Sequence, residues 1–242
     1  SSLNLSMSGA VLRDYQIIYD CLEQNHVSYN HVLIEISPWI FTLNADNRWR
    51  SFSEKYTHNY KGNFSDQKNK LYNLISPSLF NKAFNNLFKE NYSFETTNYS
   101  ERHLFKKIKM SDGAIVYPKR VINVSVEDVR DLAIQYTSNK NLYHLKKDSG
   151  FEILLVDELK DLLNKLKEKN ISVDLFLSPY HPLVYDFINK NYPLVDSVEK
   201  WVIDNYGENL YGSFNPVICN YPSSFFRDGM HLKDMYSNEL LN

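Results

Sequence analysis

The sequence has little of what marks several classes of protein. It contains only two cysteines, Cys21 and Cys219, which lie far apart and form neither a metal-type spacing nor a dense disulfide framework. It has no run of about 18 apolar residues, so no part of it is predicted to span a membrane. Basic and acidic residues nearly balance, at 27 against 29, which disfavours a nucleic-acid partner.

Sequence motifs for cofactors and metals are missing as well. There is no G-x-G-x-x-G or Walker-type loop, so a nucleotide cofactor is not expected. Five histidines show no ligand spacing such as H-x-x-x-H: His26, His31, His58, His103 and His144. We therefore predict neither a metal site nor a cofactor.

The patterns that are present indicate an α/β fold. Apolar residues at helical spacing over 11–25, after a Ser8-Gly9 turn that is a candidate cap, precede a β-branched run at 31–37. An amphipathic helix over 151–170 leads into a second buried strand at 171–179. Further helices are predicted at 181–190, 194–206 and 231–242. Another helix is predicted to start at Ser125, with Asp128 three residues on in a capping-box-like pattern. Strand-like pieces are predicted at NLYGSF and PVICNY. The length, 242 residues, fits one large core.

Residues 44–120 differ from the rest in being polar, aromatic-rich and weakly periodic. We predict that they form an insertion over the sheet, with helical patches near 77–90 and 99–109. Arg102, Lys106, Lys107 and Lys109 form a small basic cluster there. A solvated helix face is the favoured interpretation of this cluster, and a contact to an anionic ligand is the alternative.

One candidate catalytic pair stands near the end of the sequence. In FFRDGMHLK, Asp228 and His231 are three residues apart. A histidine base needs a carboxylate on one ring nitrogen, which leaves the other nitrogen to take a proton from a hydroxyl. The alternative is structural, with Asp228 capping a following helix and His231 serving as a surface or packing residue.

A second candidate stretch, NLSMSGA, stands near the start. Gly9 allows its backbone amide to approach a substrate closely, as an oxyanion donor must, while a tight strand-to-helix turn explains Ser8-Gly9 equally well. The two clear strands end in ISPW and LSPYHP. In a parallel sheet, these ends, the glycine turn and the Asp-x-x-His loop can all share one edge, where sites form.

Together, the blocks NLSMSGA, VLIEISPW, FLSPYHP and FFRDGMHL resemble the SGNH (GDSL-type) hydrolases. They are most similar to a bacterial group linked to surface polysaccharides, whose relatives include glycan O-acetyltransferases. The resemblance implies one domain over 1–242 with a three-layer α/β/α, flavodoxin-like fold and a mainly parallel sheet. It also implies that Asp228 and His231 are two catalytic residues and that the Gly9 amide is an oxyanion donor.

Two departures from the family pattern concern the nucleophile and the oxyanion hole. The family's Ser block does not occur, and Ser1 and Ser2 stand too close to the glycine turn to supply it. The sequence also starts without an initiator Met and reads as interior from its first residue, so we expect a processed chain or a fragment whose first strand and Ser lie upstream. In the family, the third block is Gly-x-Asn-Asp, and its Asn is a second oxyanion donor. No Asn stands at that place after the strand at 31–37 here, and Ser37 or Asn44 are candidate substitutes.

Other residues are candidates for lining the pocket beside Ser8 and Ser37. Trp39 can stack on a sugar ring, although a buried aromatic is more common. His181 can contact a sugar hydroxyl, although a loop residue at a strand end is the simpler interpretation. Glu35 lies inside an apolar strand, on an exposed face or as a paired buried acid; the sequence leaves both open.

The function expected from the resemblance is ester hydrolysis or O-acetyl transfer on a bacterial surface glycan, with a glycan or an acylated small molecule as the partner. A rival is an SGNH-like module that has lost catalysis and binds or assembles polysaccharide. A glycosyltransferase would need a metal-binding Asp-x-Asp, and none stands out. The resemblance implies a periplasmic or cell-surface setting with an upstream membrane anchor, while a cytoplasmic setting and the oligomeric state stay open.

Overall fold

The computed structural model describes residues 4–43, 108–109, 115–138 and 145–233. Their strands are β1 (His31–Glu35), β2 (Ile108–Lys109), β3 (Ile115–Val116), β4 (Ser172–Leu177) and β5 (Leu210–Gly212). Their α-helices are α1 (Leu12–Gln24), α2 (Lys119–Ile122), α3 (Val126–Ser138), α4 (Ile153–Glu168), α5 (Pro182–Asn191) and α6 (Leu194–Tyr206). Among the described residues, no helix combines the length and the apolarity needed to cross a membrane.

A small parallel sheet has the strand order β1-β4-β5. His31 lies opposite Ser172 and Glu35 opposite Phe176, and β5 pairs with the last residues of β4. The connections between parallel strands contain helices, as this topology requires. The predicted α/β class is therefore confirmed at the level of mixed helices around a parallel sheet.

The core follows the apolar stripes of the helices and the inward faces of the strands. Leu159 of α4, Leu175 of β4 and Val198 of α6 are fully or almost fully buried in one cluster. Helix α4 packs against α1 and β4, and α5 packs against α3 and α6. Burial of apolar surface of this kind is the main favourable term for folding.

Strand β5 ends at Gly212, where its backbone lies very close to that of β4. Gly212 has a φ of 75°, and a Cβ placed there would collide with the carbonyl oxygen of Leu177. A residue with a side chain would have to move β5 away from β4. This contact fixes the end of β5 beside the end of β4.

Of the two predicted helix caps, one differs from the prediction and the other agrees with it. Helix α1 starts after Val11, whose amide donates to the Asp14 carboxylate at 2.9 Å, so Ser8-Gly9 forms a turn but does not cap the helix. The predicted start of α3 is confirmed: the Asp128 amide donates to Ser125 Oγ at 3.0 Å. The Ser125 hydroxyl also donates to the Asp128 carboxylate.

Two predicted elements near the end of the sequence are corrected. PVICNY forms turns, in which the Tyr221 amide donates to the Pro216 carbonyl, and not a strand. The start of the predicted helix 231–242 is extended, because Leu232 makes an antiparallel bridge with Phe226. Residues 234–242 lie outside the described residues.

Most of the predicted insertion also lies outside the described residues. This includes the predicted helix at 77–90 and the basic cluster, of which only the backbone of Lys109 is described. The end of the predicted helix at 99–109 is instead the short strand β2, which pairs antiparallel with β3.

Candidate functional site

The Asp228–His231 segment is a tight loop closed by backbone hydrogen bonds. The Arg227 amide donates to the His231 carbonyl at 2.9 Å, and the Lys233 amide donates to the Phe225 carbonyl at 2.8 Å. Inside the loop, the Asp228 carboxylate accepts from the amides of Met230 and His231, both at 2.8 Å. This arrangement is an Asx-type turn, which Asp favours because its short side chain reaches amides two and three residues on.

The same loop joins the two predicted catalytic side chains. His231 Nδ1 lies 2.9 Å from each carboxylate oxygen of Asp228. Nδ1 is therefore engaged, and Nε2 has no hydrogen-bond partner among the described residues. A histidine oriented in this way can accept a proton at Nε2.

The electrostatics of Asp228 favour its ionised form. Burial, the largest single effect, would raise the pKa of this carboxyl. The hydrogen bond and charge of His231 and the amides of Met230 and His231 together outweigh burial, so the pKa falls below its usual value. Asp228 is thus held as a carboxylate that can stabilise a protonated His231.

The loop faces a cavity of about 330 Å³ at the carboxyl ends of β1 and β4. This volume lies within the range of small-molecule sites. Its wall brings together the predicted residues Ser8, Gly9, Ser37, Trp39 and His231. The four sequence blocks therefore meet at one edge of the sheet.

Gly9 contributes a left-handed turn to this wall. Its φ is 69°, in the left-handed region that glycine enters without a steric penalty, and the Ala10 amide closes the turn on the Met7 carbonyl at 3.2 Å. In the part of the chain that the structure describes, the Gly9 amide has no hydrogen-bond partner. Trp39, which is buried, holds the turn in place by donating from Nε1 to the Ala10 carbonyl at 3.1 Å.

His181 has a different position from the one predicted. It is 1% exposed and is not part of the cavity wall, which corrects its pocket-lining assignment. Its Nδ1 accepts from the Leu183 amide at the start of α5, and its own amide donates to the Gly229 carbonyl. Burial lowers the pKa of the ring, against the opposing charge of Asp228, and the backbone hydrogen bond to Gly229 ties His181 to the Asp228–His231 loop.

Glu35 is a site residue that sequence reasoning left undecided. It is open to solvent through the cavity, and protein atoms surround it on its other sides. Burial raises the pKa of its carboxyl, and the charge of His231 partly offsets the effect. Its carboxylate makes no hydrogen bond, so it is neither a paired buried acid nor an ordinary surface group.

Sequence reasoning also missed Ser178, Arg227, Ile115 and Tyr117, which line the wall. Ser178 follows β4 as Ser37 follows β1, and the matching triplets ISPW and LSPY were the available signal. Arg227 is buried and lays its guanidinium 3.6 Å from the centre of the Tyr117 ring. Ile115 and Tyr117, from the far end of the predicted insertion, also line the cavity.

We compared the chain with models of protein families, with curated proteins and with solved structures, and none of them matches. The site therefore has to be interpreted from its own geometry.

Proposed function

We propose that this chain is an SGNH-like, three-layer α/β/α domain that acts in ester hydrolysis or O-acyl transfer on a bacterial surface glycan. The observation that carries the proposal is the Asp228–His231 pair, with Nδ1 bound and Nε2 unpartnered at the edge of a cavity. The Gly9 amide, without a partner in the same wall, supports the assignment of an oxyanion donor.

The proposed chemistry is general-base catalysis of acyl transfer. A hydroxyl nucleophile attacks the acyl carbon while His231 Nε2 takes its proton, and Asp228 stabilises the imidazolium. The Gly9 amide donates to the oxyanion of the tetrahedral intermediate. When this intermediate collapses, the leaving alkoxide takes the proton from Nε2. Water or a sugar hydroxyl then attacks the acyl-enzyme in the same way.

We assign the nucleophile to a serine that precedes Ser1 in the complete protein, because no Ser block of the family type occurs in this sequence. The gene sequence upstream gives the first test: a Ser after a short apolar strand and a Gly supports the enzyme. The second test is p-nitrophenyl acetate hydrolysis by the protein that includes that segment. Activity lost in His231→Ala and in the upstream Ser→Ala variant supports the proposal, and activity retained in His231→Ala contradicts it.

The second candidate is an SGNH-like module without catalysis that binds surface polysaccharide. The observation in its favour is the carboxyl end of β1, where Ser37 stands at the place of the third-block Asn that would complete the oxyanion hole. An upstream sequence without the Ser block would favour this function. The glycan and the extracytoplasmic setting belong to both candidates and rest on the resemblance.

A further inference from the structure

The floor of the cavity carries polar groups that the proposed acyl-transfer chemistry does not use. Glu35 ends β1, Ser37 follows it by two residues, and Ser178 follows β4. All three line the cavity beside His231. They are distinct from the dyad and from the Gly9 turn.

The sheet register explains why these groups are close together. Strands β1 and β4 are parallel, and Glu35 lies opposite Phe176. The Ile36 amide donates to the Phe176 carbonyl at 2.8 Å, so the ladder continues beyond the last paired residues. Two further residues in the same register bring Ser37 opposite Ser178. A proline after each serine has no amide to donate and ends each strand there.

The side chains of these three residues have hydrogen-bonding capacity that the protein does not use. Within the described part of the chain, the Glu35 carboxylate and the hydroxyls of Ser37 and Ser178 make no hydrogen bond. Ser37 is only 6% exposed, and its backbone is fixed between β1 and the 3₁₀ turn Pro38–Phe41. Such groups in an open cavity are available to a ligand, because ligand groups that make the same hydrogen bonds can displace the water bound to them.

The number and kind of these groups indicate the chemistry of the ligand. A carboxylate only accepts hydrogen bonds, whereas each serine hydroxyl donates one and accepts others. Neighbouring hydroxyls of one ligand, each of which can both donate and accept, match all three groups. A simple ester or a monohydric alcohol would leave at least one of these groups unpaired in the occupied cavity.

We propose that Glu35, Ser37 and Ser178 form the subsite that binds a sugar ring through its vicinal hydroxyls, next to the proton-accepting nitrogen of His231. This deepens the proposed function and rests on it for the identity of the reaction. Glu35 accepts from one ring hydroxyl, and the two serines bind its neighbours. The subsite selects a polyhydroxylated acceptor over water-like alcohols.

Binding of simple sugars tests the subsite without any turnover. The probes are the methyl glycosides of a neutral hexose, an N-acetylhexosamine and a hexuronic acid, titrated by NMR into the His231→Ala variant of the complete protein. We expect at least one glycoside to bind and its fully O-methylated form to bind about tenfold or more weakly, because methylation removes the donors.

Variants of the floor locate the binding. We expect Ser37→Ala and Ser178→Ala each to weaken it about 3- to 10-fold, and Glu35→Ala about 10-fold or more, since bonds to charged groups are stronger. Ser37→Cys, which replaces the hydroxyl with a larger thiol that hydrogen-bonds weakly, supplies a second variant should Ser37→Ala unfold. Matched controls are Glu208→Gln and Ser197→Ala, whose exposed side chains lie outside the cavity wall.

The outcomes separate this subsite from the reaction. Loss of sugar binding in the floor variants alone supports it, whatever the activity of the protein. Binding by none of the three glycosides, or binding that the floor variants leave unchanged, overturns it. Esterase activity that survives His231→Ala would contradict the proposed function but not a subsite that binds sugars.

Discussion

The carboxylate of Asp228 shapes the loop and orients the imidazole of His231 at the same time. One oxygen accepts the backbone amides of Met230 and His231, and both oxygens lie 2.9 Å from His231 Nδ1. The structural and catalytic interpretations of the Asp-x-x-His spacing are therefore compatible. The turn that the backbone needs is the turn that brings the carboxylate to the ring.

The substitution Asp228→Asn is expected to separate these two roles. An asparagine keeps an oxygen for the two amides, so the loop should fold with little change in melting temperature. It loses the negative charge that fixes the tautomer and stabilises the imidazolium, so kcat of the complete protein should fall about 10²- to 10⁴-fold.

The control for Asp228→Asn is the other histidine–aspartate pair. His31 Nε2 lies 2.7 Å from Asp174 near the amino-terminal end of β1, away from the cavity. We expect Asp174→Asn to leave kcat within about twofold of the starting protein, since surface ion pairs contribute little. Equal losses of kcat in the two variants would contradict the role of Asp228.

The 242-residue chain is expected to be inactive as an esterase. In the proposed mechanism it supplies the base and an oxyanion donor, but no nucleophile of the family type to accept the acyl group. The measurement is p-nitrophenyl acetate turnover above the rate of the His231→Ala variant. Robust turnover that His231→Ala abolishes would contradict the expectation that the nucleophile is missing, and Ser37→Ala and Ser178→Ala would then distinguish a serine of this chain from a water molecule as the nucleophile.

Glycine at position 9 is expected to matter for stability and for rate. Because its φ is 69°, Gly9→Ala should destabilise the fold by about 1–2 kcal/mol in urea unfolding and lower kcat of the complete protein. Gly207→Ala is the matched control. Gly207 has a helical φ of −55° and nothing within 4 Å of an added Cβ, so this change should be neutral or stabilising. Similar effects at both positions would contradict the strain argument.

The stability of the protein should depend on pH through Glu35. Its folded pKa is raised, so the folded state holds this proton to a higher pH than the unfolded state does. The wild type therefore loses stability as pH rises above the ordinary carboxyl range of about 4–5, and Glu35→Gln does not. The other charged or titratable groups that line the cavity with Glu35 are His231, Arg227 and Tyr15.

Urea unfolding at several pH values between about 4 and 8 measures this effect. The stability of Glu35→Gln minus that of the wild type should increase with pH. The opposite contribution of Asp228, whose pKa is lowered, is present in both proteins and cancels in the difference. A constant difference would show that the pKa of Glu35 is unshifted, and a difference that falls with pH would show that it is lowered; either result contradicts the prediction.

Local patterns in the sequence were sufficient to predict most of the described helices and the strands β1 and β4. Helix α4 and strand β4 have a regular pattern of apolar residues along their length, so the local sequence is enough to predict them. The prediction of a strand at PVICNY was wrong, because an apolar, β-branched run can also form turns. In these turns Val217 and Ile218 are exposed. The extended start of 231–242 depends on the bridge to Phe226, which local sequence does not show.

The part of the candidate site that lies within one short segment was predictable from the sequence. Asp228 and His231 are three residues apart, and a single turn places them together. Glu35 and His181 depend on packing between distant segments. Alternation along β1 does not reveal that Glu35 faces a cavity, and a histidine after a strand can equally well be the buried cap of α5.

The rim of the cavity has a consequence for how this protein can evolve. Trp39 lines it just before the chain leaves the described core, and Ile115 and Tyr117 line it where the chain returns. Insertions, deletions and drift between these points act on sequence that begins and ends at the cavity wall, while the ladder between β1 and β4 is untouched. Selection can thus change residues next to the cavity without changing the paired strands that end there.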